Sequence, residues 1–187
     1  MKVLIIYAHP TTTSFNHALL EAFLKGLKKT GHDYQLADLY RDGFNPVLSA
    51  DEMKGKLDED VKAYQEKVAW ADCLVFIYPT FWFRAPAMLE GFIDRVFSAG
   101  FAFKYVKSRP VGLLKGKKAI VIETYGGPMW YYNFLMSRIP WRRFRAVLTF
   151  CGIGIHTHQP CYNVPFAKDG IRRRYLNQAR KIGEGLK

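Results

Sequence analysis

The stretch Val3-Leu4-Ile5-Ile6-Tyr7-Ala8 is an unbroken apolar run that stops at His9-Pro10. It shows no alternation of polar and apolar positions, so the strand it forms is covered on both faces, as in the middle of a parallel sheet. Beyond it, Phe15, Ala18, Leu19, Ala22, Phe23 and Leu27 recur at helical spacing, and Gly31 ends the pattern. Tyr34 to Leu39 reads as a second strand, Cys73 to Tyr78 as a third, Ala119 to Thr124 as a fourth and Ile153 to Cys161 as a fifth. Between them lie a charged helical stretch from Ser49 to Trp70, an amphipathic pattern on Met88, Leu89, Phe92, Ile93, Val96 and Phe97, and a final helix over about Gly170 to Leu186. Gly100 to Lys117 is a long excursion. Strands alternating with helices predict an α/β chain with a five-stranded parallel sheet between two helical layers, roughly five helices in all.

The length of 187 residues suits a single domain, 1–187, and a hydrophobic fraction of 49% excludes a disordered chain. The first apolar run is too short for a secretory signal, and no stretch approaches the roughly 18 apolar residues of a membrane span, so a cytoplasmic protein is expected. Cys73, Cys151 and Cys161 form no C-x-x-C pair and read as free, buried thiols. The histidines show no H-E-x-x-H pattern, and His156-Thr157-His158 alternates like a strand, so no metal site is expected. The net charge is +12, much of it in Trp141-Arg142-Arg143-Phe144-Arg145 and Ile171-Arg172-Arg173-Arg174-Tyr175. Such a surface favours phosphates, anionic membrane or nucleic acid, or is simply a solvated basic face. No nucleic-acid reading motif accompanies it, so no specific nucleic acid is expected.

Ligands of open parallel sheets bind at the carboxyl ends of the strands, which directs attention to three loops. The first, His9-Pro10-Thr11-Thr12-Thr13-Ser14-Phe15-Asn16, runs four hydroxyls into a helix start, where free amides and the helix dipole favour an anion. An ordinary N-cap explains one of those hydroxyls. It is neither a G-x-x-x-x-G-K-[ST] loop nor a G-x-G-x-x-G turn. The second, Tyr78-Pro79-Thr80-Phe81-Trp82-Phe83-Arg84-Ala85-Pro86, places aromatic rings where no strand or helix period requires them, either against a planar ligand or in a packing cluster or subunit interface. The third contains Gly126-Gly127, which permits positive φ and close approach of backbone to a ligand. Phosphate at the first loop and a planar heterocycle between the other two describe a flavin nucleotide.

These motifs also carry a resemblance. Ala8-His9-Pro10 with Ser14-Phe15-Asn16, Pro79-x-x-Trp82-Phe83-x-x-Pro86-Ala87, Leu89-x-Gly91-x-x-Asp94-Arg95-Val96-Phe97 and Thr124-x-Gly126-Gly127 resemble the NAD(P)H:quinone oxidoreductase family of flavodoxin-like flavoproteins, which includes the bacterial ancillary oxidoreductases of potassium efflux systems. The resemblance covers most of the first 130 residues and fades beyond Trp130. It implies a flavodoxin-like three-layer sandwich, FMN or FAD as cofactor, NAD(P)H as co-substrate, and hydride transfer to the flavin followed by two-electron reduction of a quinone or similar acceptor in ping-pong order. His9, Ser14, Phe15 and Asn16 are then expected to hold the phosphate and ribityl chain. Pro79, Thr80, Phe81, Trp82 and Phe83, with Thr124, Tyr125, Gly126 and Gly127, are expected to surround the ring.

Tyr132 matches a family tyrosine near the catalytic face. Downstream of that tyrosine the family can carry a proton-relaying histidine, whereas this region offers Arg138, which, being always charged, suits stabilisation of negative charge rather than proton transfer. Phe81 stands where the family usually has glutamine, so a polar contact to the ring is lost or supplied by backbone. The short chain leans towards FMN. A homodimer is expected from the family, with Phe101, Phe103 and Trp130 suited to an interface closing over the flavin. The alternative the resemblance admits is a flavin-binding regulatory subunit docked on a membrane transporter through the basic surface.

Overall fold

A computed structural model describes residues 1–186. Its main sheet consists of β1 (Lys2–Tyr7), β2 (Asp33–Asp38), β3 (Cys73–Pro79), β6 (Lys118–Thr124) and β7 (Gly154–Cys161), all parallel and in the order β2-β1-β3-β6-β7. The helices are α1 (Phe15–Leu27), the short α2 (Ala50–Met53), α3 (Glu59–Trp70), α4 (Ala87–Val96), α5 (Ile139–Phe150) and α6 (Asp169–Glu184). The two-residue period of the strands sends Leu4, Ile6, Phe76, Tyr78 and Val121 to the face covered by α3, α4 and α5. Val3, Ile5, Tyr7, Val75, Ile77 and Ile122 go to the face covered by α1 and α6. This is the expected flavodoxin-like, three-layer α/β fold with a five-stranded parallel sheet.

Three features depart from the sequence expectation. The stretch Ser49 to Trp70 is two helices, because Gly55 adopts φ +87° and α3 restarts only after Asp58. The basic cluster at Arg142 lies inside α5, which the sequence reading did not assign. Trp141, Phe144 and Leu148 there share the buried face, while the arginines point outwards. The excursion after α4 contains a separate antiparallel hairpin, β4 (Phe103–Val106) with β5 (Arg109–Gly112).

The matching motif in α4 serves mainly to join elements. A side chain at Gly91 would collide with the Pro46 backbone, so the helix and the loop after β2 meet backbone to backbone. One turn further on, Arg95 is 1% exposed and bonds Glu52 at 2.9 and 3.1 Å, Asp60 at 2.9 Å, Asp58 at 3.0 Å and the Asn45 carbonyl at 2.6 Å. One guanidinium thereby ties α2, α3, α4 and the Asn45 loop together. Glu52 is equally buried and is also fixed by its capping box with Ser49.

Arg95→Met leaves the buried Glu52 carboxylate without its cation and is expected to cost about 3–5 kcal/mol. Urea unfolding checks this; a loss below about 1 kcal/mol is the result that contradicts it. Burial also pushes the three thiols up, Cys73 and Cys161 to about 12 and Cys151 to about 11. All three are therefore expected to resist a thiol reagent at pH 8 in the folded protein and to react together once it is denatured.

Candidate functional site

In this strand order β1 bonds β2 on one side and β3 on the other, so the connections from β1 and β3 leave in opposite directions and open a crevice at their carboxyl ends. The first loop starts at that crevice. Ser14 caps α1 by accepting from the His17 amide at 3.1 Å, as N-cap chemistry requires. Thr11, Thr12 and Thr13 remain exposed. Nδ1 of His9 lies 3.1 Å from both the amide nitrogen and the carbonyl oxygen of Thr11. Desolvation lowers the His9 pKa and so favours the neutral ring. The partly buried Phe15 lies 6.0 Å from the guanidinium of Arg172, whose Nε has no partner among the described residues. The sequence showed Arg172 only as one of a basic run; its approach to Phe15 depends on the packing of α6 against α1.

Asn16 joins the first loop to the third. Its side chain is buried, and Nδ2 donates to Thr124 Oγ1 at 3.0 Å, whereas Oδ1 has no partner among the described residues. The second loop is tied to the third by the Thr80 amide, which donates to the Thr124 carbonyl at 2.7 Å. Thr124 is thus the junction of all three loops.

After Pro79 and Thr80 the chain turns sharply, with Phe81 and Arg84 exchanging backbone bonds of 2.8 and 3.0 Å. The two residues between them, Trp82 and Phe83, both have positive φ, 49° and 60°. Glycine or asparagine usually fills such a turn, and two bulky aromatic residues there cost about 1–3 kcal/mol each. The strain holds Trp82 outwards, 88% exposed. The amides of Trp82, Phe83 and Gly126 donate to no group among the described residues, so three backbone donors remain free at the crevice. Gly126 has open space where a side chain would be, but neither it nor Gly127 has positive φ, contrary to the reason first given for the pair. The absent side chains serve close approach alone.

Tyr132 belongs to a five-residue π-helical turn, Tyr131–Leu135. Its ring packs against Tyr125 at 4.5 Å and Phe83 at 6.1 Å, and lies beside Gly127, where an added Cβ would come within 3.3 Å of it. Burial raises its pKa, so the phenol stays protonated. Arg138 joins this cluster through its backbone, its amide donating to the Tyr132 carbonyl at 2.8 Å, and is the exposed, left-handed N-cap of α5, with φ 57°. Its charge reaches Tyr162, lowering that phenol's pKa against the larger effect of burial, which raises it. Phe101 and Phe103 are at the opposite, strand-start end, where Phe103 packs on Phe150 at 5.0 Å. Beside them α4 and α5 bound an apolar hollow of about 870 Å³ that includes none of the three loops.

The sequence reading missed Glu123, the residue before Thr124. It is fully buried and accepts from Tyr78 at 3.2 Å, from Tyr125 at 2.5 Å and, at a longer 3.5 Å, from Thr80, and it faces Nε2 of His158 at 2.6 Å. Its place at the end of an apolar strand was the available sign; its partner on β7 was not visible from spacing.

A family model described as the flavodoxin-like fold matches residues 1–182. The rat NAD(P)H dehydrogenase [quinone] 1 is 31% identical across 96% of this chain and 75% of its own length. Among solved structures, Smu.1420 from Streptococcus mutans UA159 superposes with TM-score 0.90 at 32% identity, covering both chains completely. The NAD(P)H:quinone oxidoreductase from Methanothermobacter marburgensis superposes with TM-score 0.85 at 31% identity over 100% of this chain and 99% of its own. The fold, the order of the loops and these relatives agree: the chain belongs to the flavodoxin-like family of NAD(P)H:quinone oxidoreductases.

Proposed function

We propose that this chain is a flavin-dependent NAD(P)H dehydrogenase that passes two electrons from NAD(P)H to a quinone or similar acceptor. The observation that carries the reading is the junction at Thr124, where three chemically different loops meet and Asn16 presents a buried carbonyl with no partner among the described residues. The residues present fit a flavin nucleotide. The hydroxyls of Thr11 to Ser14, the start of α1, the His9 ring and the nearby Arg172 favour a phosphate. Phe15 and Asn16 flank the sugar-chain path, and Asn16 Oδ1 suits a hydroxyl donor.

In this reading Pro79 to Phe83 and Thr124 to Gly127 flank the ring, with the free amides of Trp82, Phe83 and Gly126 as donors to its edge. Those backbone donors replace the glutamine side chain whose position Phe81 takes. Bound there, a flavin supplies the two-electron chemistry that the side chains lack. Tyr132 offers a protonated hydroxyl beside Gly127, and Arg138, with its fixed charge, adds positive potential at the same rim. The exposed Trp82, Met129, Trp130, Phe134 and Leu135 form an apolar rim that a second copy of the chain covers in this reading.

The purified protein is expected to be yellow, to bleach with NADPH or NADH and to recover its colour on adding a quinone; mass analysis of the released cofactor identifies FMN or FAD. A colourless protein that takes up neither added flavin overturns the proposal. The strained turn provides a second test. Trp82→Gly relieves a left-handed aromatic residue that buries little, so the melting temperature should hold or rise while flavin affinity falls about tenfold. Equal flavin affinity in the variant assigns the turn no part in binding.

A further inference from the structure

We propose that Glu123 and His158 form a proton-holding pair beneath the flavin loops, connected to solvent at the edge of the sheet, and that this pair takes up a proton from solvent when the bound flavin is reduced and holds it for the electron acceptor. The inference rests on the flavin reading above and extends it to residues outside the three loops. Glu123 occupies a face of β6 whose other inward residues, Ala119 and Val121, are apolar. A lone carboxylate at full burial is costly, and apolar packing would stabilise the strand at least as well. Here the carboxylate gathers hydroxyls from both ring-binding loops, Thr80 on one and Tyr125 on the other, together with Tyr78 below them.

On the other side of Glu123, His158 closes the distance to solvent. Its Nε2 lies 2.6 Å from Glu123 Oε1, and its ring is stacked on Trp141 with centroids 3.6 Å apart and planes at 4°. That stacking fixes the imidazole plane towards the carboxylate. His158 also lines a hollow of about 570 Å³ at the outer edge of β7, together with Met129, Tyr162, Arg174 and Lys181. Histidine is the side chain that exchanges protons readily near neutral pH. The path runs from the hollow to His158, to Glu123, and then to the hydroxyls of Thr80 and Tyr125 at the floor of the crevice.

The reaction needs such a supply. NAD(P)H gives a hydride, the quinone leaves with two hydrogens, and the second hydrogen arrives as one proton from solvent per turnover. The pair takes that proton from the hollow as the flavin is reduced and releases it upwards as the quinone takes the two electrons. Glu123 and His158 act through Thr80 and Tyr125 and are positioning residues. The other titratable or charged groups facing them are Tyr78 from β3, Cys161 and Tyr162 from β7 and the segment after it, the Glu90 and Arg143 pair of α4 and α5 across Tyr78, Arg138 beyond Tyr162, and Tyr175, Arg174 and Lys181 from α6.

The test is the pH dependence of the flavin midpoint potential in the loaded protein, for wild type, His158→Gln and Glu123→Gln. Glutamine at 158 keeps a donor for Glu123 but carries no titratable proton. Wild type is expected to show a pH interval in which the slope is steeper by one proton per two electrons, about 30 mV per pH unit, and both variants to lack it. The second readout needs no variant: the His158 ring signals in NMR should report a protonated ring over a wider pH range in the reduced than in the oxidised protein. Flavin bound normally, with an unchanged slope in both variants or identical His158 titrations in the two redox forms, overturns the proposal. Failure of the wild type to bind flavin overturns the parent reading instead, and the spectrum separates the two cases.

Discussion

The structure depends on β1 being hydrogen bonded on both sides. Once Val3 to Tyr7 pair with β2 in one direction and β3 in the other, every side chain of the strand must face a helix layer, and no polar residue fits there. The same pairing forces the chain to leave β1 and β3 towards opposite edges. The crevice is therefore a consequence of strand order, present before any particular residue is placed in it. Residue choice then decides what the crevice can hold, and hydroxyls, strained aromatics and glycines at the three loop starts give it one chemical character.

The interlocks around that crevice divide the work. Arg95 binds α2, α3 and α4 on one layer, far from the loops, with three carboxylates and a carbonyl. Thr124 does the corresponding work at the carboxyl edge, with one hydroxyl and one carbonyl. The first junction is charged and buried, and it makes its helices move as a unit. The second is neutral and leaves Asn16 Oδ1 without a partner among the described residues, so that corner of the fold keeps polar capacity. A motif that looks uniform in sequence thus separates into an architectural half, from Gly91 to Arg95, and a half available for binding, from Pro79 to Phe83.

What the sequence made legible follows physical locality. The strands were visible because a run such as Cys73 to Tyr78 has no polar residue to confuse its reading, and α1 because its apolar spacing and its Ser14 cap agree. The helix at Ile139–Phe150 was hidden by its own arginines, whose density drew attention to charge, although Trp141, Phe144 and Leu148 carry the helical period. Arg143 is in fact paired with Glu90, so part of the basic surface is neutralised on folding. The break at Gly55 was hidden because charged residues on either side are equally good helix formers. The hairpin at Phe103 to Gly112 lacks a hydrophobic face of its own.

In the site, the local features were readable and the pairwise ones were not. Ser14 as a cap, the aromatic loop and the close approach at Gly126 are properties of short segments. The contacts Asn16 to Thr124 and Glu123 to His158 join residues 108 and 35 positions apart, and no spacing rule connects them. Glu123 nevertheless broke a local rule, a carboxylate ending an otherwise apolar strand, and departures of that kind are where functional or strained positions are to be looked for. His156-Thr157-His158 shows the reverse case. Its alternation correctly indicated a strand, and because a strand sufficed as an explanation, the one histidine facing inwards went without a role. Periodicity tells which residues share a face; only the neighbouring strand tells what that face meets.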